Sequence, residues 1–142
     1  MQSFIEYSDI ETEITAIDLF EDYEHNGSNH KYILNKFKHN ENVEILKGDF
    51  FNFYKTMKFY DLIHIDISND KDIFEFAFEN YLPKTRKVLL LEGGSIERDN
   101  VEWMKKYDKN SINPFLVKNK NKYDINIIQE FPSLTVVKSK FK

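Results

Sequence analysis

The stretch INIIQEFPSLTVVK, Ile125 to Lys138, holds two strand-like runs, Ile125 to Phe131 and Leu134 to Lys138, parted only by Pro132 and Ser133. A link that short cannot carry a parallel crossover, so the two runs are expected to pair antiparallel as a hairpin. The chain before them is organised differently. Apolar runs of strand length recur at Ile14 to Phe20 (ITAIDLF), Val43 to Leu46 (VEIL), Tyr60 to Ile65 (YDLIHI) and Val88 to Leu91 (VLLL). The last is continuous, as in a strand buried on both faces.

Helix-period segments lie between these runs. Asn29 to His39 spaces Ile33 and Phe37 four apart. Asp70 to Leu82 sets Ile73, Phe76, Ala77, Asn80 and Tyr81 along one face, with Asn69 or Asp70 as N-cap and Pro83 past the end. Asn100 to Tyr107 is a shorter helix carrying Val101 and Met104 on one side. Strand and helix therefore alternate until the hairpin, which predicts an α/β fold: a mostly parallel sheet with helices on both faces, closed by a C-terminal antiparallel hairpin. No repeat or linker divides residues 1–142, so one domain is expected. Lys109 to Tyr123 reads as the mobile loop.

Composition bounds the chemistry. The 142 residues include no Cys, which removes disulfides, thiolate metal sites and Cys nucleophiles together. Neither a membrane-length apolar run nor a basic-then-apolar leader occurs, so a cytoplasmic protein is expected. The net charge of −4 argues against nucleic acid as a partner. The run Lys118 to Lys122 (KNKNK) reads as a solvated loop.

In open parallel sheets ligands bind at the carboxyl ends of the strands. Those ends carry Asp18, then Gly48-Asp49-Phe50, then Asp66, then Glu92-Gly93-Gly94-Ser95. Four successive strands are thus expected to bring an acid to one edge, where carboxylates can accept from ribose hydroxyls, an adenine amino group or a substrate proton. His64, alternating with Ile63 and Ile65, reads as a core residue. His25, His30 and His39 are scattered without metal spacing, and no metal site is expected. Ser95 lacks the Gly-x-Ser-x-Gly frame of a nucleophile elbow.

The order ITAID, VEILKGDFF, YDLIHID, VLLLEGG and the hairpin IIQEFPSLTVV resembles a class I S-adenosylmethionine-dependent methyltransferase, over about Ile14 to Ser139. That family is a Rossmann-like sheet whose last two strands form an antiparallel hairpin. The resemblance implies that Asp18, followed by Leu19, takes both ribose hydroxyls. It puts Gly48 and Asp49 at the adenine amino group, with Phe50 beside the ring. Asp66 would lie nearest the sulfonium and the acceptor, with Glu92 at the substrate. Where related sequences continue Ile-Asp-Gly-Asp-His, this chain has Ile65-Asp66-Ile67-Ser68-Asn69, which counts against metal- or His-dependent chemistry.

Such enzymes open with a strand and a glycine-rich turn that approaches the methionine part of the cofactor. The four glycines here are Gly27, Gly48, Gly93 and Gly94. The opening MQSFIEYSDIETE reads as the tail of the helix after that turn, anchored by Met1, Phe4, Ile5, Tyr7 and Ile10. The first strand and glycine loop are therefore expected to be missing, and S-adenosylmethionine to bind weakly or not at all. The gap would be closed by the flanking strands or by another chain, a homodimer being one form. The implied function is methyl transfer to a small-molecule or protein acceptor; the alternative is a non-catalytic binding or assembly subunit. A receiver-like phosphorylation domain (Asp66 acceptor, Glu21 and Asp22 holding magnesium, Ser95 the switch hydroxyl) lacks the Lys that should end its fifth strand, and gives the hairpin no place.

Overall fold

A computed structural model describes residues 2–9, 11–24 and 26–138, the side chains of 2–4 excepted. Met1, Ile10, His25 and the side chain of Phe4 lie outside the described residues. Two compact units result, Met1–Thr56 and Met57–Lys142.

In the first unit, helix α1 (Gln2–Tyr7) precedes strand β1 (Ile14–Asp18), helix α2 (His30–Phe37), strand β2 (Val43–Lys47) and the short helix α3 (Phe50–Phe53). β1 and β2 pair in parallel, with Ile14 opposite Val43 and Asp18 opposite Lys47. α1 is helical as expected, but Tyr7 is 90% exposed and anchors nothing. The apolar run Ile14 to Phe20 stops being a strand at Asp18. There the carboxylate Oδ1 accepts the Phe20 N–H and turns the chain into a 3₁₀ turn over Phe20–Asp22. Phe20 is buried and stacks on the His30 ring at 4.7 Å. α2 begins where Asn29 accepts from the Tyr32 N–H at 3.1 Å, a side-chain cap for an otherwise orphan donor.

The second unit contains strand β3 (Tyr60–Ile65), helix α4 (Lys71–Asn80), strand β4 (Thr85–Glu92), helices α5 (Ile96–Asp99), α6 (Glu102–Lys106) and α7 (Asn113–Asn119), and strands β5 (Asp124–Ile128) and β6 (Leu134–Lys138). Its sheet runs β3-β4-β6-β5. β3 and β4 are parallel, while β6 is antiparallel to both β4 and β5. β1 and β3 belong to separate sheets. The core lies on β4 and β6, where Leu89 faces Val137 and Leu91 faces Thr135 in register, all four at most 1% exposed. Among the described residues no helix is long and apolar enough to cross a membrane.

The hairpin pairs as its sequence demands, but its link is longer than two residues. β5 ends at Ile128, and residues 129–133 make the turn. Ser133 takes a left-handed φ of 66° and its carbonyl accepts the Gly93 N–H at 2.9 Å, so the turn is tied to the end of β4.

Three expectations need correction. On α4, Ala77 and Tyr81 of the expected stripe are buried, but Phe74 and Phe78 are buried beside them while Ile73 and Phe76 are only half-buried. Apolar side chains occupy both stripes, and the choice is made by Phe115 and Tyr123, which meet the Phe78 ring edge-on at 5.2 Å each. His64 is exposed rather than buried: it shares the open face of β3 with Leu62 and Asp66, while Ile65 on the opposite face is buried.

Lys109 to Tyr123 is not a loop throughout: α7 occupies Asn113–Asn119, with Pro114 in its first turn and Ile112 and Leu116 fully buried. Pro at that place is helix-compatible because the missing N–H would be an orphan anyway. The Asp99 carboxylate supplies what the sequence pattern hides, accepting the Ile112 N–H at 3.0 Å and the Asn113 N–H at 2.7 Å. Of the basic run, Lys118 and Asn119 lie in α7 and the rest follow it as a turn.

Candidate active site

The register that opposes Ile65 to Leu91 brings the next residues, Asp66 and Glu92, side by side at the carboxyl ends of adjacent parallel strands. Asp66 is exposed and Glu92 half-buried. Burial, the Asp66 charge and a hydrogen bond between the two carboxyls push the Glu92 acid up from its ordinary value, while the Arg98 charge opposes the shift. Two carboxyls this close hold one proton between them more readily than two negative charges.

This raised acid has a consequence for stability. A carboxyl whose folded pKa lies above its unfolded pKa costs nothing below the unfolded value and destabilises progressively as pH rises through the folded one. Glu92→Gln is therefore expected to raise the melting temperature at neutral pH, with the gain disappearing near pH 3. Thermal melts at both pH values check it; a variant less stable at neutral pH would mean that the native carboxylate is held by a favourable partner.

β4 leaves the pair through Gly93 and Gly94, both at positive φ, 105° and 103°. Side chains could not replace them without strain: a Cβ on Gly93 would stand 1.7 Å from Asn69 Oδ1, and one on Gly94 would stand 2.2 Å from Thr135 Oγ1. Asn69 is 4% exposed and donates from Nδ2 to Met104 Sδ at 3.2 Å, while its Oδ1 is buried without a partner. Ser95, expected to be no nucleophile, is buried and caps α5 by accepting the Arg98 N–H at 3.1 Å. The Arg98 guanidinium lies over the rings of Trp103, 5.1 Å away, and Phe131, 5.3 Å away. Asp66, Glu92, Asn69, Arg98 and Trp103 surround a cavity of ≈ 250 Å³, with Ile67 and Ser68 completing the wall.

The first unit gathers the other sequence candidates at the carboxyl edge of its own two strands. Asp18 Oδ1 accepts Phe20 N–H and Asn26 Nδ2, the latter at 2.8 Å; Oδ2 has no hydrogen bond among the described residues. Leu19 is 37% exposed. The Gly48 N–H donates to the Asp18 carbonyl at 2.9 Å, and a Cβ there would press on Ile17 Cδ1 at 2.7 Å. Asp49 caps α3, accepting from Phe51 N–H at 3.0 Å and Asn52 Nδ2 at 2.6 Å. Phe50 packs edge-on against Phe51 at 5.1 Å. Glu21 and Asp22, the magnesium acids of the receiver reading, are ion-paired to Lys47 at 3.0 and 2.8 Å. The His30 backbone N–H and Lys47 hold the Glu21 carboxyl down at about 2. Among the described residues no three His, Asp or Glu side chains gather to hold a metal ion.

Asn69, Arg98, Trp103 and Phe131 escaped the sequence reading because no motif joins them. A weaker signal existed: Trp103 is the sole Trp, and Arg98 is one of two arginines in a lysine-rich chain.

Solved structures share this fold. A methyltransferase from Geobacter sulfurreducens matches with TM-score 0.55 and 14% identity, over 92% of this chain and 60% of its own. The SAH-bound Podospora anserina methyltransferase PaMTH1 matches with TM-score 0.61 and 12% identity, over 90% and 61%. PigF with SAH matches with TM-score 0.56 and 11% identity, over 99% and 60%. The fold is therefore that of class I methyltransferases, and the chain spans about three fifths of the length of these structures. No family model matches the sequence, and no curated protein matches it.

Proposed function

We propose that this chain, having the fold of class I methyltransferases, is a methyltransferase-like protein that uses an S-adenosylmethionine-type cofactor and acts on a small-molecule acceptor. The observation that carries the reading is the Asp66–Glu92 carboxyl pair at the ends of two adjacent parallel strands, facing a cavity of ≈ 250 Å³. That is where an open α/β sheet puts its ligand.

Within the first unit taken by itself, Asp18 and Asp49 suit the adenosine end of such a cofactor. Asp18 keeps Oδ2 open for ribose hydroxyls, and Asp49, though already accepting two hydrogen bonds, retains lone pairs for an adenine amino group. They do not fit the methionine end equally well: no glycine precedes Gly27, so the residues before β1 offer no glycine-rich turn for close backbone approach. When bound, the cofactor supplies a methyl group on a positively charged sulfur. The chain's own part is to align the acceptor and to take its proton on the Asp66–Glu92 pair, which geometry at about 2.6–3.2 Å would permit.

Calorimetry on the 142-residue chain tests the cofactor half. Adenosine and S-adenosylhomocysteine are expected to bind weakly and within about fivefold of each other, with Asp18→Asn abolishing both. Submicromolar binding of S-adenosylhomocysteine alone would refute this division of the site, and no binding of either at millimolar concentration would remove the cofactor assignment. The catalytic half is read by S-adenosylhomocysteine release with a panel of small hydroxyl and amine acceptors. Glu92→Gln is expected to lower that release about 10²-fold or more, the usual worth of a positioned base. Binding without turnover on any acceptor would favour the second reading, a non-catalytic binding or assembly subunit.

A further inference from the structure

The Arg98 side chain is held in place yet makes no polar contact among the described residues. Ser95 caps the short helix that carries it, and the rings of Trp103 and Phe131 flank its guanidinium. Among the described residues that guanidinium forms no ion pair and donates to no side chain or backbone carbonyl, and its Nε is buried and unsatisfied. A buried donor left unpaired in a native structure calls for a reason, since each costs about 1–3 kcal/mol. Asp66 and Glu92 lie in the same cavity and do not bring a carboxylate to within ion-pair distance of it. The two rings lie 5.1 and 5.3 Å from the guanidinium carbon, and its N–H donors, Nε among them, are left for an acceptor; a guanidinium's fork of donors suits a planar, two-oxygen anion better than a point charge would.

We propose that Arg98 is the anchor of a carboxylate subsite, and that the cavity takes a small carboxylate bearing a hydroxyl or amine that reaches the Asp66–Glu92 pair. At about 30 Å³ per water, ≈ 250 Å³ holds roughly eight waters, so the ligand has on the order of ten non-hydrogen atoms. Trp103 and Ile67 add apolar lining beside the charged groups, which favours a ligand with a hydrocarbon body. Asp66 and Glu92 discriminate against a second anionic group at the far end. Under the methyltransferase reading this ligand is the acceptor, but the subsite itself does not require methyl transfer.

Trp103 reports on the site directly. Because it is the sole Trp, its indole N–H gives one identifiable cross-peak in a proton–nitrogen correlation spectrum. The unmodified chain is titrated with 4-hydroxybenzoate, its methyl ester and its carboxamide, with no methyl donor present. A saturable shift with the carboxylate, at least tenfold weaker with the ester and carboxamide, is expected. Arg98→Gln should lose the preference for the carboxylate, and Arg98→Lys should recover only part of it. Equal binding of the three compounds, no saturable shift at 10 mM, or an unchanged preference in a folded Arg98→Gln chain would each overturn the subsite. The ligand-side comparison stands even if Arg98→Gln fails to fold. Inorganic phosphate, titrated in parallel, separates a carboxylate site from a general anion site: competition by phosphate at equal concentration would count against the proposal. Since no cofactor enters the experiment, its failure leaves the methyltransferase reading standing, and failure of that reading leaves this result standing.

Discussion

Gly93→Ala is expected to destabilise the second unit by about 3–5 kcal/mol, from two costs of similar size. The backbone at φ 105° lies where L side chains are strained, worth about 1–3 kcal/mol. The new methyl would also stand 1.7 Å from Asn69 Oδ1, and Asn69 has little room to retreat, being 4% exposed and bonded to Met104. Overpacking of that kind costs about 1–3 kcal/mol. Against a total stability of about 5–15 kcal/mol for an ordinary domain, the loss is large. Urea midpoints measure it, and adding Asn69→Ala separates the terms: the double variant should regain the steric part and not the backbone part. A double variant as unstable as Gly93→Ala alone would mean that backbone strain accounts for the whole loss.

Leu116→Ala is expected to cost about 2–5 kcal/mol, the usual range for truncating a fully buried leucine. Leu116 has no exposed surface, and its Cδ1 lies against Gly94, 2.7 Å from where a Cβ on that glycine would be. α7 is held by few devices: this side chain, Ile112, the Phe115–Phe78 contact and the Asp99 cap. A seven-residue helix is far too short to persist by itself in water, so its order comes from packing. Amide exchange over 113–119 should accelerate in Leu116→Ala more than in β4. Val117→Ala, at a position 56% exposed, should change stability by less than about 0.5 kcal/mol and serves as the control. Equal effects of the two substitutions would contradict the packing described for α7.

The same helix shows where sequence reading fails. Between Lys109 and Tyr123 no apolar period is long enough to announce a helix, and the polar run KNKNK suggests solvent. What makes α7 is distant in sequence: a carboxylate fourteen residues back from Asn113, Gly94, which leaves room for Leu116, and an aromatic ring on α4. His64 fails for a related reason. Alternation with two isoleucines predicts its spacing along β3 correctly, yet which of the two faces is covered is decided by packing from distant elements, which no local pattern encodes.

Local chemistry was sufficient for the strands, since runs such as VLLL and LTVVK have few alternatives to a buried pleated strand. It also settled the antiparallel hairpin, because the short link forbids a crossover, and the placing of Asp66 and Glu92 at strand ends, because an acid terminates a run that otherwise buries. Tertiary structure alone decided that these two carboxyls meet, through the parallel register of Ile65 with Leu91. It alone placed Arg98 between Trp103 and Phe131, on three elements separated in the chain. Strand periodicity is fixed by neighbours two residues away, and the sequence carries it openly. The Arg98 cavity also depends on contacts between residues distant in the chain, such as Arg98 with Phe131 and Asn69 with Met104, which become defined only when those elements pack together.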